Sequence, residues 1–430
     1  METTVELKSK HEQVLEMMNQ VVTTSKDLGI AHLTTEDYEL DGRHIMIRGK
    51  SLVNFSSCSY LGLELDQRLK SAAIDAVQRF GTQFSCSRGY VSLGLYNDIE
   101  NLLSRIFHNH PVILAPTTSL GHMSNIPVLV GDHDAVIMDI QVHSSVQNAV
   151  ELLKSRNIHI EMIRHNNMEM LEGRIKKLSS THKKIWYMAD GVYSMFGDFL
   201  PIHELKDLLD TYDNFHLYVD DAHGMSWMGK NGSGYVLSQI EFHPKLYLVT
   251  GLAKSFGTCG GVLIFPDEES KRLVRNLGRT LLFSGPIQPP VLGASIASAK
   301  IHLSKEIYSL QNQLQDKIKF FNASAKLYEL PLLSDSSTPI RFIAVSKPEA
   351  GYAMVVKLMK AGYYVNLSVF PTVSYNNTGI RIPLTLHHAY EDIDGLLKKV
   401  AEILPATLEE CGVTMDEIWN AFKMKKPVIA

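Results

Sequence analysis

The chain has 430 residues, of which 45% are hydrophobic and 20% are charged, and its 42 basic and 46 acidic residues give a net charge of −4. This composition is typical of a globular protein with one large core and a smaller second domain, and it argues against disorder. Because no long block carries a single sign of charge, nothing in the sequence indicates binding to nucleic acid or to an anionic membrane. We expect small molecules, or a second copy of the chain, as partners.

The start of the chain, METTVELKSKHEQ, is charged where a secretion signal needs an apolar core. Two long uncharged runs, residues 111–131 and 280–299, are interrupted by prolines, glycines and hydroxyl residues, so neither is expected to cross a membrane. The cysteines follow no spacing typical of a metal or redox site: Cys58, Cys86, Cys259 and Cys411. We therefore expect a cytoplasmic protein without a bound metal.

Residues 1–55 are predicted to form a helical arm, residues 56–300 a large domain and residues 301–430 a small domain. Short apolar runs in the large domain alternate with helix-like segments: VILA, AVIMDI, IHIEMI, KIWYMA, FHLYVD, KLYLVT and GVLIF. Such runs, without strict alternation, favour strands that are buried on both faces and joined by helical crossovers. The predicted class is α/β, with a mostly parallel seven-stranded sheet.

The small domain is predicted to be α+β. The helical period of SLQNQLQDKIKFFNASAKLYEL is followed by the turn-like SDSSTP, and then by RFIAV, a helix over residues 352–361, YYVNLSV and IRIPL. The sequence assigns no role to residues 411–430.

Residues that directly follow the apolar runs are the candidates for a site, because ligands of open α/β sheets bind beyond the carboxyl ends of the strands. They are PTTSLGHMSN after VILA, His143 after AVIMD, Ser194 after KIWYMAD, Asp220 and His223 in FHLYVDDAH, and Lys254 after KLYLVT. Burial would lower the pKa of a lysine at such a position and make its amine a nucleophile. Ordinary alternatives are an exposed turn for Lys254 or DDAH, a core position for His143 and a helix N-cap for TSLG.

An amine, a carboxylate, an imidazole and an anion-binding backbone segment are the parts that a pyridoxal 5′-phosphate site requires. The lysine would hold the aldehyde of the cofactor as a Schiff base, and the carboxylate would keep the pyridine nitrogen protonated. The phosphate would bind at the start of the helix that TSLG begins. We therefore predict pyridoxal 5′-phosphate as the cofactor.

Six motifs follow one another along the chain: NFSSCSYLGL, GTQFSCSRGYVSLGLYNDIENLL, DGVYSMFGD, YVDDAHGMSWMGKNGSG, LAKSFGTCGG and LLFSGPIQPP. They resemble the motifs of the α-oxoamine synthases, which are pyridoxal-phosphate enzymes of fold type I, and the resemblance covers residues 35–405. It implies a homodimer with shared active sites. It also implies an acyltransferase that joins an amino acid to an acyl-CoA thioester, releasing CoA and CO₂ and giving an α-aminoketone.

The resemblance assigns roles to individual residues. Lys254 would be the Schiff-base lysine and the base for the α-proton, Asp220 would pair with the pyridinium nitrogen, His223 would contact the ring hydroxyl and His143 would stack on the ring. The backbone of Leu120, Gly121 and His122 would bind the phosphate with Phe283 and Ser284 of the partner subunit, and Ser194 would lie near the ring hydroxyl. Arg381 is similar to the arginine that binds the substrate carboxylate, with a cross-strand surface arginine as the alternative.

Several positions depart from the family pattern. Cys58 and Ser59 replace residues that are usually polar amides or acids, Tyr96 replaces a histidine, Gly251 replaces a threonine three residues before the lysine, and Pro383 replaces a second arginine. Thr250 and Ser255 are the nearby hydroxyls that could replace the threonine. These departures leave the amino acid substrate open, and LAKSF is also similar to an autoinducer-synthase branch that uses larger amino acid derivatives.

Two other functions stay open at this point. One is another fold type I reaction, such as that of an aminotransferase or a lyase, which shares the cofactor but not the acyl transfer. The other is a catalytically idle subunit of the same fold, which is expected to have lost the lysine that this chain retains.

Overall fold

The computed structural model describes residues 9–425, and residues 1–8 and 426–430, which belong to the predicted arm and small domain, lie outside the described residues. Its α-helices are α1 (Lys10–Asp27), α2 (Gln67–Phe80), α3 (Gly94–Ile106), α4 (Thr118–Leu129), α5 (Ser144–Glu151), α6 (Met168–Leu178), α7 (Ile202–Thr211), α8 (Val236–Gln239), α9 (Glu268–Leu277), α10 (Arg279–Leu282), α11 (Pro289–His302), α12 (Glu306–Leu327), α13 (Pro348–Lys360), α14 (Tyr390–Glu410) and α15 (Met415–Ala421). Its strands are β1 (His44–Ile47), β2 (Lys50–Phe55), β3 (Val112–Ala115), β4 (Ala135–Asp139), β5 (His159–Ile163), β6 (Ile185–Asp190), β7 (Phe215–Asp220), β8 (Leu246–Gly251), β9 (Gly261–Ile264), β10 (Ile340–Ser346), β11 (Tyr363–Ser368) and β12 (Thr378–Pro383).

Contacts divide the chain into two compact units. One unit contains residues 58–315, and the other contains the residues up to 57 together with those from 316 onward. The predicted division into arm, large domain and small domain stays a prediction. None of the helices between residues 9 and 425 has both the length and the apolar character that are needed to span a membrane.

The unit of residues 58–315 is built on a seven-stranded sheet in the order β3-β9-β8-β7-β6-β4-β5. Only β9 runs antiparallel to its neighbours, β3 and β8, and the other pairs are parallel. Every residue of β4, β6 and β8 is buried, as expected for strands covered on both faces. The predicted mostly parallel seven-stranded sheet is confirmed, and each of the seven apolar runs is one of its strands.

The second unit contains a five-stranded sheet in the order β1-β2-β11-β12-β10. The predicted elements RFIAV, the helix near residue 352, YYVNLSV and IRIPL are β10, α13, β11 and β12. The description of residues 1–55 as helical needs a correction, because β1 and β2 follow α1 and form a hairpin that joins this sheet. Arg48 and Gly49 connect the two strands with positive φ angles of 51° and 70°, which suit a tight hairpin turn.

The start of β9 lies unusually close to the start of α4. A Cβ atom added to Gly261 would lie 2.6 Å from both the Cα and the backbone nitrogen of Thr118. Only a glycine allows this approach, because backbone atoms on both sides leave no room for a side chain.

We expect Gly261→Ala to destabilise the protein by about 1–3 kcal/mol, because the added methyl group forces strand and helix apart. Gly173→Ala in α6 is the matched control, since a Cβ there meets no atom within 4 Å, and it should stabilise the helix by about 0.5–1 kcal/mol. Urea unfolding followed by circular dichroism measures both changes. Equal stability of the two variants would contradict the close approach.

Candidate functional site

A cavity of about 190 Å³ opens at the carboxyl edge of the seven-stranded sheet. It is lined by Thr117, Thr118, Ser119, His143, Ser145, Asp190, Val192, Asp220, Ala222, His223, Ala253, Lys254, Cys259 and Gly260. These residues follow strands β3, β4, β6, β7 and β8 or precede β9. The structure therefore brings together Lys254, Asp220, His223 and His143, which the strand-end rule had selected from the sequence.

Lys254 lies in a tight loop between β8 and β9 and is partly buried. The carbonyl of Lys254 accepts a hydrogen bond from Gly257, and the amide of Leu252 donates to Gly260, which closes the loop on itself. Gly257 has a φ angle of +79°, and a Cβ there would meet the backbone of Leu63 and Glu64. The loop thus holds the amine at the cavity wall with little freedom for its backbone.

Asp220 ends β7 and is almost completely buried. Its Oδ2 lies 2.9 Å from His122 Nε2, and its Oδ1 accepts a hydrogen bond of 3.0 Å from the Ala222 amide. Burial raises the pKa of Asp220, but the charge of His122 and the hydrogen bond to it outweigh burial and lower the pKa to about 2. Asp220 is therefore a fixed negative charge in the cavity.

Two further carboxyl groups lie beside Asp220 and behave differently. Asp190 ends the neighbouring strand β6 and pairs with Asp220 in register. Burial and the negative charge of Asp220 raise the pKa of Asp190 well above its ordinary value. Burial also raises the pKa of Asp221, to about 8, so both groups favour the neutral form at pH 7.

His143 begins α5 and faces the cavity in the neutral form. Its Nδ1 accepts a hydrogen bond from the Ser145 amide at 3.2 Å, and its own amide donates to Asp190 Oδ1 at 3.0 Å. Burial, which outweighs the charge of Asp220, lowers the pKa of His143, and the charge of Lys254 acts in the same direction. A neutral flat ring at this position can stack on a planar ligand.

His223 follows β7 and lies against a buried tyrosine. The Tyr60 hydroxyl is 2.8 Å from His223 Nδ1, and the Trp227 indole donates to the His223 carbonyl at 2.5 Å. Tyr60 and Trp227 have no exposed surface. These contacts fix the orientation of the imidazole at the cavity wall.

The predicted phosphate ligands Leu120, Gly121 and His122 belong to the first turns of α4, where several of their polar groups already have partners within the protein. The amides of Leu120 and Gly121 donate to the side chain and the carbonyl of Thr117, and the His122 side chain binds Asp220. Thr117, Thr118 and Ser119 line the cavity instead. Thr117 is the N-cap of α4, so the first amides of the helix belong to residues 118 and 119.

Thr118 also accounts for the threonine that is missing before Lys254. A Cβ added to Gly251 would lie 3.0 Å from Thr118 Oγ1, so this hydroxyl lies directly beside the position of the missing side chain. Of the two alternatives considered from the sequence, Thr250 donates its hydroxyl to the Asp221 carbonyl at 3.1 Å. The Ser255 hydroxyl is buried and meets no hydrogen-bond partner among residues 9–425.

Other predicted residues lie outside the cavity lining. Val192 lines the cavity, whereas Ser194 lies two residues further along the same segment. Phe283 is 84% exposed, and the Ser284 hydroxyl donates to the Thr280 carbonyl. Arg381 belongs to the other unit, where it is buried in β12.

Sequence reasoning missed Asp190, whereas Thr117, Thr118 and Ser119 lie within the predicted candidate segment PTTSLGHMSN. Asp190 ends the run KIWYMAD just as Asp220 ends FHLYVD, so the strand-end rule could have found it. The sequence analysis places a helix start at TSLG, and α4 begins at Thr118, the first residue of that segment.

The model of the aminotransferase class I and II family matches residues 50–399. The chain belongs to this family. Among its relatives, an 8-amino-7-oxononanoate synthase from Alkaliphilus metalliredigens is 29% identical over 364 residues, which are 83% of this chain and 90% of that protein. A serine palmitoyltransferase from Sphingobacterium spiritivorum is 28% identical over 363 residues, which are 84% and 88% of the two proteins. Both are α-oxoamine synthases, so the resemblance inferred from the motifs is confirmed.

Solved structures of this part of the aminotransferase class I and II family have the same fold. A serine palmitoyltransferase from S. paucimobilis, with a bound PLP–myriocin aldimine, superposes with a TM-score of 0.84 at 21% identity, covering 95% of this chain and 100% of that one. An 8-amino-7-oxononanoate synthase from Francisella tularensis gives a TM-score of 0.66 at 21% identity and covers 83% and 98%. The predicted fold type I architecture is confirmed.

The pH dependence of stability should reveal the neutral carboxyl of Asp221. Its pKa is higher in the folded protein, at about 8, than in the unfolded chain, at about 3.9, so folding stability falls as the pH rises from about 4 to 8. Asp221→Asn, which keeps the shape of the neutral acid, should remove this part of the fall. Urea unfolding of both proteins at pH 5 to 9 measures how the free energy of unfolding depends on pH. The same pH dependence in both proteins would contradict a neutral Asp221.

Proposed function

We propose that the protein catalyses the decarboxylative condensation of an amino acid with an acyl-CoA thioester, with pyridoxal 5′-phosphate as cofactor. The products are an α-aminoketone, CoA and CO₂. The observation that carries the proposal is that Lys254 and the ionised Asp220 line one cavity, at the strand ends of a fold shared with α-oxoamine synthases. The relatives named 8-amino-7-oxononanoate synthase and serine palmitoyltransferase support the reaction class.

The residues of the cavity fit this cofactor. Lys254 supplies the amine for the aldehyde, and Asp220 supplies a negative charge for the pyridine nitrogen. Thr117, Thr118 and Ser119 present hydroxyls and the first amides of α4 to the phosphate, where the helix dipole favours an anion. The phosphate site proposed here therefore begins at Thr117 rather than at Leu120.

When bound, pyridoxal 5′-phosphate supplies a protonated ring that accepts electrons from the α-carbon of the amino acid. Asp220 keeps the ring nitrogen protonated because its own pKa is low. His143 would pack on the ring and His223 would contact its hydroxyl, while the amine of Lys254 would hold and move the α-proton. Arg381 remains the predicted ligand of the substrate carboxylate.

We also propose a homodimer with shared active sites. The Ser87 hydroxyl donates to the Leu282 carbonyl at 2.6 Å, so the segments around residues 87 and 282 are adjacent. Tyr90 is 87% exposed and Phe283 is 84% exposed on these segments. Adjacent large apolar side chains with so much exposed surface are typical of a protein interface, which supports Phe283 and Ser284 as contributors to the partner's site. A cytoplasmic location stays a prediction.

Lys254 should carry the cofactor covalently. Borohydride reduction of the protein loaded with pyridoxal 5′-phosphate, followed by peptide mass spectrometry, should find the pyridoxyl group on Lys254. Lys254→Ala should lose this adduct and about 10²–10⁴-fold in kcat, because its amine also moves the α-proton. Lys300→Arg, which changes an exposed lysine of α11, is the control, and an adduct at another lysine would contradict the proposal.

Release of free thiol separates the proposed reaction from the alternatives. We expect CoA to appear only when an amino acid and an acyl-CoA are both present, because the acyl group is transferred to the α-carbon. Asp220→Asn should abolish this release, and Asp207→Asn on the exposed face of α7 should leave it unchanged. A thiol reagent measures the rate, and mass spectrometry over a panel of amino acids and acyl chains identifies the product.

An aminotransferase or a lyase would instead convert the amino acid alone or with a keto acid, and would release no thiol. An idle subunit would bind the cofactor without turnover, or would not bind it. Either result would overturn the proposed condensation.

A further inference from the structure

We propose that His165, held between the carboxylates of Asp139 and Asp198, is a positioning residue that fixes two cavity-forming segments. These segments are residues 139–143, which lead to His143, and residues 191–198, which contain Val192 and Ser194. The catalytic consequence rests on the proposed function, whereas the contacts themselves belong to the protein without cofactor.

Both ring nitrogens of His165 face carboxylates. Nδ1 lies 3.0 Å from Asp139 Oδ1, and Nε2 lies 2.6 Å from Asp198 Oδ2. His165 follows β5, Asp139 ends β4, and Asp198 follows β6. The histidine therefore connects three neighbouring strand ends through one side chain.

Asp139 holds the first segment, residues 139–143, through several hydrogen bonds. It is completely buried, and its carboxylate accepts hydrogen bonds from the Gln141 amide at 2.8 Å, the Asn166 amide at 2.8 Å and the Tyr187 hydroxyl at 3.1 Å. The Val142 amide also donates to the Asp139 carbonyl. These contacts hold the turn directly before His143.

Asp198 closes the second segment. The Tyr193 amide donates to the Asp198 carbonyl at 2.9 Å, and Val192 and Phe199 form an antiparallel bridge across the segment. The side chain of Asn166 donates to the Phe199 carbonyl at 3.1 Å, next to the contact of His165. These hydrogen bonds connect the segment that contains Val192 to His165 and Asn166, which follow β5.

The groups that face His165 favour its positive form. Burial lowers the pKa of His165, but the hydrogen bonds to Asp139 and Asp198 and their negative charges outweigh burial and raise it to about 9. Tyr193 packs edge-on against the imidazole, with ring centroids 4.4 Å apart. Tyr187, which donates to Asp139, is the remaining titratable group of this cluster, and burial raises the pKa of Tyr187 and Tyr193 well above the usual value.

A doubly charge-assisted bridge is stronger and more directional than two neutral hydrogen bonds. Without the imidazole of His165, the negative charges of Asp139 and Asp198 would no longer be compensated at this place. We expect the two segments that carry them to shift in response. The bridge does not line the cavity, so it acts through the backbone positions of His143 and Val192. A misplacement of such groups by about 1 Å can cost as much as about 100-fold in rate.

The test compares His165→Gln with the wild-type protein and with His243→Gln. His243 contacts one carboxylate, that of the exposed Asp210 at 3.3 Å, accepts a hydrogen bond from the Lys245 amide at 3.1 Å and lies outside the cavity lining, which makes it the matched control. In the cofactor-free protein, hydrogen exchange of residues 139–143 and 191–198 should speed up in His165→Gln only. The partners of His165 and His243 named above lie outside helix α9, so this helix should exchange at the same rate in all three proteins.

Stability against pH provides the second readout. The pKa of His165 is higher in the folded protein than in the unfolded chain, so the stability that it contributes is complete below about pH 6.5 and is lost as the pH rises through about 9. The difference in unfolding free energy between wild type and His165→Gln should therefore shrink between pH 6.5 and 10. His243→Gln should show a much smaller change over this range.

With cofactor, His165→Gln should bind pyridoxal 5′-phosphate of the order of 10-fold more weakly and should lose about 10–100-fold in kcat/KM. If His165→Gln does not fold, Asp198→Asn removes one charge, keeps the shape, and should speed exchange of residues 191–198. Unchanged exchange, or a stability difference that is the same at pH 6 and pH 10, overturns the inference. Failure of the wild-type protein to bind the cofactor overturns the proposed function instead, because the exchange and pH measurements need no cofactor.

Discussion

A buried negative charge on Asp220 is the constraint around which the cavity is organised. An ionised carboxylate in a protein interior is costly unless hydrogen bonds and an opposite charge compensate for the lost water. Here the compensation comes from His122 on α4 and from the Ala222 amide. His122 also contacts the Tyr218 hydroxyl at 2.8 Å on the same strand as Asp220. Helix α4, whose first turn offers the anion-binding groups, is therefore bound to the strand that carries the charge, and neither can move without exposing it.

The three carboxyl groups near the strand ends show how position sets protonation. Asp220 meets an imidazole and stays ionised, whereas burial and then the charge of Asp220 raise the pKa of Asp190, which takes a proton more readily. Asp221 points into a space bounded by Gly191, Gly224 and Gly234, where a Cβ atom on any of the three would collide with its carboxyl group. The cavity thus contains one fixed negative charge close to Lys254 and the neutral His143. A single charge at a defined place is what a ring nitrogen needs in order to stay protonated.

The features that sequence reasoning found depend on short segments, and those that it missed depend on single hydrogen bonds. Lys254, Asp220, His223 and His143 could be placed together because an apolar run fixes a strand and a parallel sheet fixes the edge where strands end. The hairpin at Arg48 and Gly49 was missed because its strands are short and only half buried. Which amides at the start of α4 stay available to an anion depends on the bond from the Leu120 amide to Thr117. No local pattern encodes that choice among several adjacent hydroxyl residues.

The departure at Gly251 illustrates how a motif can change while the chemistry of its site persists. In the sequence, Gly251 indicates the loss of a hydroxyl group three residues before Lys254. In the structure, the space beside Gly251 is filled by the hydroxyl of Thr118, which comes from the helix that faces the loop. A Cβ at residue 251 would come within 3.0 Å of Thr118 Oγ1, a tight contact, so a larger side chain at residue 251 requires Thr118 to shift. The hydroxyl beside Gly251 therefore belongs to α4 rather than to β8, and it is attached to the same helix that His122 binds to the buried charge of Asp220.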